Sequence, residues 1–123
     1  MGQAGVLPLE GVRVLELAHP IAGPLCGMYL PDMGADVVKV ESRDAPDAGR
    51  HIYRLYRGGE GILHLTVNRN KRGLSVDLRQ DAGRAVFRRL AADVDVVIEA
   101  FRGGVAERLG IDAASLAGLN PRL

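Results

Sequence analysis

Five consecutive residues, Asn68-Arg69-Asn70-Lys71-Arg72, set three cations and two amides side by side. Arginine forks onto two phosphate oxygens at once and lysine adds a point charge, so the cluster suits a ligand carrying several phosphates. Basic runs are also common as plain solvated edges, and the residues alone leave both readings open. His19 closes a strand-like run, where an imidazole can exchange a proton or hold a structural hydrogen bond. Cys26 follows Pro24-Leu25 with no obvious partner base and reads as a core residue. Gly58-Gly59-Glu60-Gly61 is glycine-rich but follows no clear strand and lacks a Gly-Lys-Ser/Thr ending, so it fails as a phosphate loop. The three histidines, the cysteine and the acids show no metal-ligand spacing. No Ser-His-Asp grouping follows from spacing.

These groups need elements to position them. Val12 to Leu17 reads as a mostly buried strand, its apolar run broken by Arg13 and Glu16. Gly23-Pro24 opens a helix over 24–33, with Leu25, Met28, Tyr29 and Met33 on one apolar face. Pro31 should kink or shorten it, and Gly34 suits its C-terminal cap. Gly23 permits either a close ligand approach or tight packing. Asp36 to Glu41 is a second strand. Strand, helix and strand at this spacing form a βαβ unit with parallel strands, and the turn His19–Pro24 falls at the carboxyl end of the first. Open parallel sheets bind ligands in that crevice.

Ser42 to Gly61 is polar, rich in Arg and Gly, and reads as a long surface loop. Gly73–Leu78 is a third strand and Asp95–Glu99 a fourth. Between them lies the clearest helix, Gln80–Ala92, with Ala82, Ala85, Val86 and Leu90 placed toward the sheet. Gly103-Gly104 leads into a short helix over Val105–Leu109, and Asp112 can cap another that stops before Pro121. The fold class is α/β, a Rossmann-like parallel sheet with flanking helices in one unit, 1–123.

A length of 123 residues, 47% hydrophobic and 25% charged, is ordinary for one globular domain with a real core. A net charge of +1 and 4% aromatics argue against nucleic acid as partner. One cysteine excludes an internal disulfide, and the N-terminus carries no secretory signal pattern, which together suit the cytoplasm. No apolar run approaches 18 residues, so no membrane span is expected.

Taken together, several stretches resemble the family III CoA-transferases, the group containing formyl-CoA and carnitine CoA-transferases and α-methylacyl-CoA racemases. The resemblance runs from Leu7 to Leu123. Its blocks are L-P-L-E-G-V-R-V-L-E-L, A-G-P-L-C, G-A-D-V-V-K-V-E, N-R-N-K-R-G-L-S-V-D-L, and F-R-G-G-V-A-E-R-L-G-I followed by N-P-R-L. It implies coenzyme A or an acyl-CoA as ligand and substrate, a carboxylic acid as second substrate, and no metal. His19, Pro20, Ile21 and Ala22 then lie beside the thioester end. Val76, Arg79, Ala100, Phe101, Arg108 and Leu109 meet the nucleotide end. Ser42 stands at a position the family fills with a base, with Arg43 beside it as substitute, and Lys71 and Arg72 help shape the phosphate side. Ala100 replaces an Asn common in transferases and Gly103 a usual Pro.

In the transferases an aspartate carries the acyl group as a mixed anhydride. That aspartate belongs to a glycine-rich segment well after the N-P-R-L block, so the expectation is a CoA-binding N-terminal segment without its nucleophile. None of Asp32, Asp36, Glu41, Asp77 or Glu99 matches it. The resemblance further implies an interlocked homodimer, or a second chain supplying the remainder. A racemase-branch segment, a CoA or nucleotide binding module without turnover, and a noncatalytic partner-interaction domain are the alternatives.

Overall fold

A computed structural model describes residues 6–123. Strand β1 (Arg13–Leu17) leads through α1 (Ala22–Asp32) to β2 (Asp36–Glu41). After a single 3₁₀ turn, Ala48–Arg50, the two-residue strands β3 (Tyr56–Arg57) and β4 (Glu60–Gly61) form a small antiparallel hairpin. Helix α2 (Ile62–Val67), β5 (Arg72–Ser75), α3 (Asp81–Ala91), β6 (Val96–Glu99), α4 (Val105–Leu109) and α5 (Ala113–Ala117) complete the chain. The main sheet is wholly parallel, in the order β5-β2-β1-β6. The chain winds outward from β1 through β2 to β5, then returns to the other side of β1 as β6. That reversal is a topological switch point.

Strand alternation divides the sheet into two faces. Leu15, Leu17 and Val40 face α3, α4 and α5, packing with Phe87, Ala91, Ile111 and Leu116. Val14 and Val37 face α1 and pack with Ala35, Leu30 and Ile98. By the same alternation Glu16 and Lys39 lie on the α1 face, where the β1–β2 register sets them directly opposite one another.

Three local expectations need correction. On α3 the buried residues are Phe87 and Ala91, while Val86 is exposed. The reason is Gly83, where an added Cβ would stand 2.0 Å from the Asp77 carbonyl oxygen, so the helix rests its backbone on the loop before it. On α1 the buried residues are Pro24, Gly27 and Met28, and Tyr29, Met33 and Cys26 are exposed. The 42–61 segment is not a plain surface loop, because it contains the 3₁₀ turn and the hairpin and buries Asp47, Gly49 and Gly61. Pro31 sits in the last turn of α1, and Gly34 follows with φ 106°, a left-handed value suited to glycine.

Candidate ligand cavity at the carboxyl ends of the strands

A cavity of about 210 Å³ opens where β1, β2 and β5 end. Leu17, Ala18 and His19 continue β1, Val40, Glu41 and Ser42 close β2, and Val76 to Arg79 follow β5. Phe101 beyond β6 and Leu109 of α4 complete the far wall, with Ala45 and Asp47 from the segment after β2. Its interior is mostly aliphatic. The volume lies below the ~300–1,000 Å³ of pockets that enclose a whole drug-sized ligand, so it admits one end of a larger molecule. His19 and Phe101 meet edge to face with ring centroids 6.4 Å apart. The Ser42 hydroxyl is buried and has no hydrogen-bond partner among the described residues.

Arg79 is the cation of the rim. Its Nε donates to Asp77 Oδ1 at 2.8 Å and its Nη2 to Asp77 Oδ2 at 2.9 Å, while Asp77 Oδ1 also accepts the Arg79 backbone N–H at 3.0 Å. Nη2 makes a further bond to Asp44 Oδ2 at 3.0 Å. The Arg79 hydrogen bond holds the Asp77 carboxyl below its ordinary value, and Asp77 raises the guanidinium in turn.

Beneath the cavity lies a buried charge network. The Lys39 ammonium donates to Glu16 Oε1 at 2.9 Å and to the Ala18 carbonyl at 2.6 Å, and lies 2.8 Å from Asp47 Oδ2. Lys71 lies 2.6 Å from Glu16 Oε2 and donates to the Pro24 carbonyl and to Asn68 Oδ1. Glu16 Oε2 and Asp47 Oδ2 accept no aligned hydrogen bond, yet each faces an ammonium at contact distance, which compensates its charge. Two anions and two cations balance. Gly27 makes room for the network, since a Cβ there would lie 1.9 Å from Glu16 Oε2. Because it grips Ala18 and Asp47, the network fixes two segments of the cavity wall. Beside it, Arg50 donates to Glu41 Oε2 and to Glu60 Oε2, both at 2.8 Å, tying the hairpin to β2. Burial pushes the Glu41 carboxyl up, but the Arg50 and Asp47 hydrogen bonds outweigh it and hold the group below its ordinary value.

His19, Val76, Arg79, Phe101 and Leu109 thus meet at one cavity. Ile21 and Ala22 begin α1 next to it, and Arg43 is exposed beside Ser42. Arg108 is exposed on α4, one residue before Leu109. The basic pentamer does not join them. Lys71 is turned inward onto Glu16, and burial pushes its ammonium down. Arg69 pairs with Asp32, and Arg72 pairs through Nε and Nη2 with Asp36, the first residue of β2, at the amino end of the sheet. Within the cluster Lys71 is tied inward, while Arg69, Asn70 and Arg72 stay exposed and pair with Asp32 and Asp36. Gly23 serves packing, since a Cβ there would lie 2.1 Å from the Ala18 Cβ. Asp47 on the wall was not expected from the sequence, and Glu41 and Asp77 were weighed there only as nucleophiles. The available signal was a pair of charges, Glu16 and Lys39, inside two strands otherwise fit for burial.

Glu41, Asp47 and His64 each bring a ligand atom within 4.8 Å of the others. Arg50 and Lys39 already neutralise the two carboxylates, and His64 Nδ1 lies 3.1 Å from Asn68 Nδ2. Burial lowers the His64 imidazole. The group is charge-balanced by side chains.

The chain is similar to succinyl-CoA–D-citramalate CoA-transferase of Chloroflexus aurantiacus, with 42% identity over 94% of this chain and 29% of that protein. It is 43% identical to α-methylacyl-CoA racemase of Mus musculus, covering 94% of this chain and 26% of that protein. The crystal structure of a CAIB/BAIF family protein from Brucella suis superposes with a TM-score of 0.89 at 41% identity, covering 97% of this chain and 32% of that one. The chain therefore spans less than a third of the length of these relatives. Residues 9–123 match CoA-transferase family III, and the chain belongs to that family.

Proposed function

We propose that this chain forms the CoA-binding part of an enzyme that moves CoA between carboxylic acids, with the nucleotide end of the coenzyme in the cavity described above. One observation carries the reading: Arg79, oriented by Asp77, stands at the rim of an apolar cavity at the carboxyl ends of parallel strands. An apolar wall with Phe101 accepts a heterocyclic base, the rim cation meets a phosphate, and the unpartnered Ser42 hydroxyl offers a polar contact. Arg43 and Arg108 are further exposed cations, each next in sequence to a residue that lines the cavity. Acyl-CoA and a carboxylic acid are the substrates, and the protein works in the cytoplasm as a dimer. The acyl-carrying carboxylate is not one of the cavity acids, because Glu41 and Asp77 are held by arginines and Asp47 by Lys39. Calorimetric titration with CoA tests the site. Arg79→Ala should weaken binding by about 1–3 kcal/mol, the range for a hydrogen bond to a charged group, and removing the 3′-phosphate from the ligand should shrink that loss. Unchanged CoA affinity in this variant would remove the site.

The 43% identity to a racemase favours a second reading, in which the same CoA site serves acid-base chemistry at the carbon beside the thioester. Deuterium uptake at that carbon from heavy water, with no CoA transfer to added acids, would select it.

A further inference from the structure

We infer that Asp44 is a built-in competitor for the ligand phosphate, seated on the edge of Arg79 that an incoming phosphate needs. The inference rests on the CoA-binding reading. A guanidinium offers two forks, Nε with Nη2 and Nη1 with Nη2. Asp77 takes the first with both carboxylate oxygens and lies only two residues away, so that contact comes with the turn and orients the side chain. Asp44 comes from another segment, between β2 and the 3₁₀ turn, and reaches Nη2 with one oxygen at 3.0 Å. Nη1 has no hydrogen-bond partner among the described residues. The second fork is therefore held by a single oxygen of a carboxylate that is 67% exposed, facing an arginine 62% exposed.

A phosphate can take Nη1 and Nη2 together and brings more charge than a carboxylate, so it displaces Asp44. The displaced carboxylate stays on the same short segment and faces the bound anion with like charge. Asp44 thus weakens anion binding twice, by occupying the fork in the free state and by repulsion in the bound one. The sign is opposite to that of Arg79: removing the Asp44 charge should tighten binding.

The test is calorimetry of the chain with CoA, comparing the unaltered protein, Asp44→Asn, Arg79→Gln and the double variant. Asp44 is exposed, so Asp44→Asn leaves the fold intact. We expect Asp44→Asn to bind CoA about two- to fivefold more tightly, the range of one exposed ion pair, and the gain to disappear in the Arg79→Gln background. Equal or weaker binding by Asp44→Asn, with Arg79→Gln weaker than both, overturns this inference and leaves the CoA site standing. A gain that persists in the Arg79→Gln background also overturns it, since the effect would then be a general field. No CoA binding by either the unaltered protein or Asp44→Asn overturns the CoA reading and this inference together.

Discussion

Glu16 shows how one residue links sequence to site. Set within a strand it would be costly alone, but Lys39 in register on β2 and Lys71 from the basic run compensate it, and Lys39 also donates to the Ala18 carbonyl. Gly27 is the complementary choice on α1. Gly27→Ala should gain roughly 0.5–1 kcal/mol of helix propensity. It should lose more, because the new Cβ would meet the Glu16 carboxylate and prise it from Lys71. We expect a net destabilisation of about 1–3 kcal/mol by urea unfolding, and a more stable variant would refute the packing described here. The neighbouring pair sets a pH dependence. Arg50 holds Glu41 below its ordinary value of 4.5. Between that lowered value and 4.5 the unfolded chain binds more protons than the folded one. Stability therefore rises with pH through this window and is lost as pH falls through the folded value. Arg50→Gln should flatten this acid limb, as measured by urea unfolding across about pH 3 to 6, while leaving the neutral plateau lower.

At the scale of elements, α3 offers the sharpest test of the packing. Phe87 is fully buried and Val86 is 41% exposed. Phe87→Ala should cost about 3–5 kcal/mol and Val86→Ala within about 0.5 kcal/mol, read from denaturation midpoints at unchanged slope. Comparable losses at both positions would restore the face expected from the sequence. The expectation held for Leu90, which packs against the core, and failed at Ala82, Ala85 and Val86, because the true stripe begins with Gly83, whose value lies in having no side chain. The four strands of the parallel sheet were legible from their apolar runs, although the third ends at Ser75 and Val76 to Leu78, expected within it, turn out of the sheet to line the cavity. The hairpin of β3 and β4 was not, since each strand has two residues and is held by Arg50 and Glu60 from outside any periodic pattern. The same division runs through the site. The resemblance assigned His19 to the thioester end and Val76, Arg79, Phe101 and Leu109 to the nucleotide end, whereas all five line one cavity. The role of Lys71 and Arg72 was hidden because their partners, Glu16 and Asp36, lie far away in sequence.

On the scale of the molecule, the sheet has two edges, β5 and β6, that are unpaired among the described residues, and a groove of about 820 Å³ runs along β6, lined by Val96, Val97 and Ile98. Ile52, Tyr53, Leu55 and Tyr56 add exposed apolar surface around the hairpin. Open edges and contiguous apolar surface favour association. The chain alone should therefore show a concentration-dependent sedimentation coefficient, and an ideal monomer at every concentration would contradict this. The same chain should bind CoA without transferring it. Acyl transfer through a carboxylate needs a nucleophile that is free to attack, and pairing with a cation withdraws charge from the attacking oxygen. Arg50 holds Glu41, Lys39 holds Asp47 and Arg79 holds Asp77, so the cavity presents no carboxylate in that condition. Incubation with succinyl-CoA and a panel of carboxylic acids should give no exchange by the 123-residue chain. Exchange that hydroxylamine abolishes by trapping an acyl-enzyme would show that one of these three acids escapes its cation and carries the reaction. Replacing Glu41, Asp47 and Asp77 in turn by the corresponding amide would then identify it.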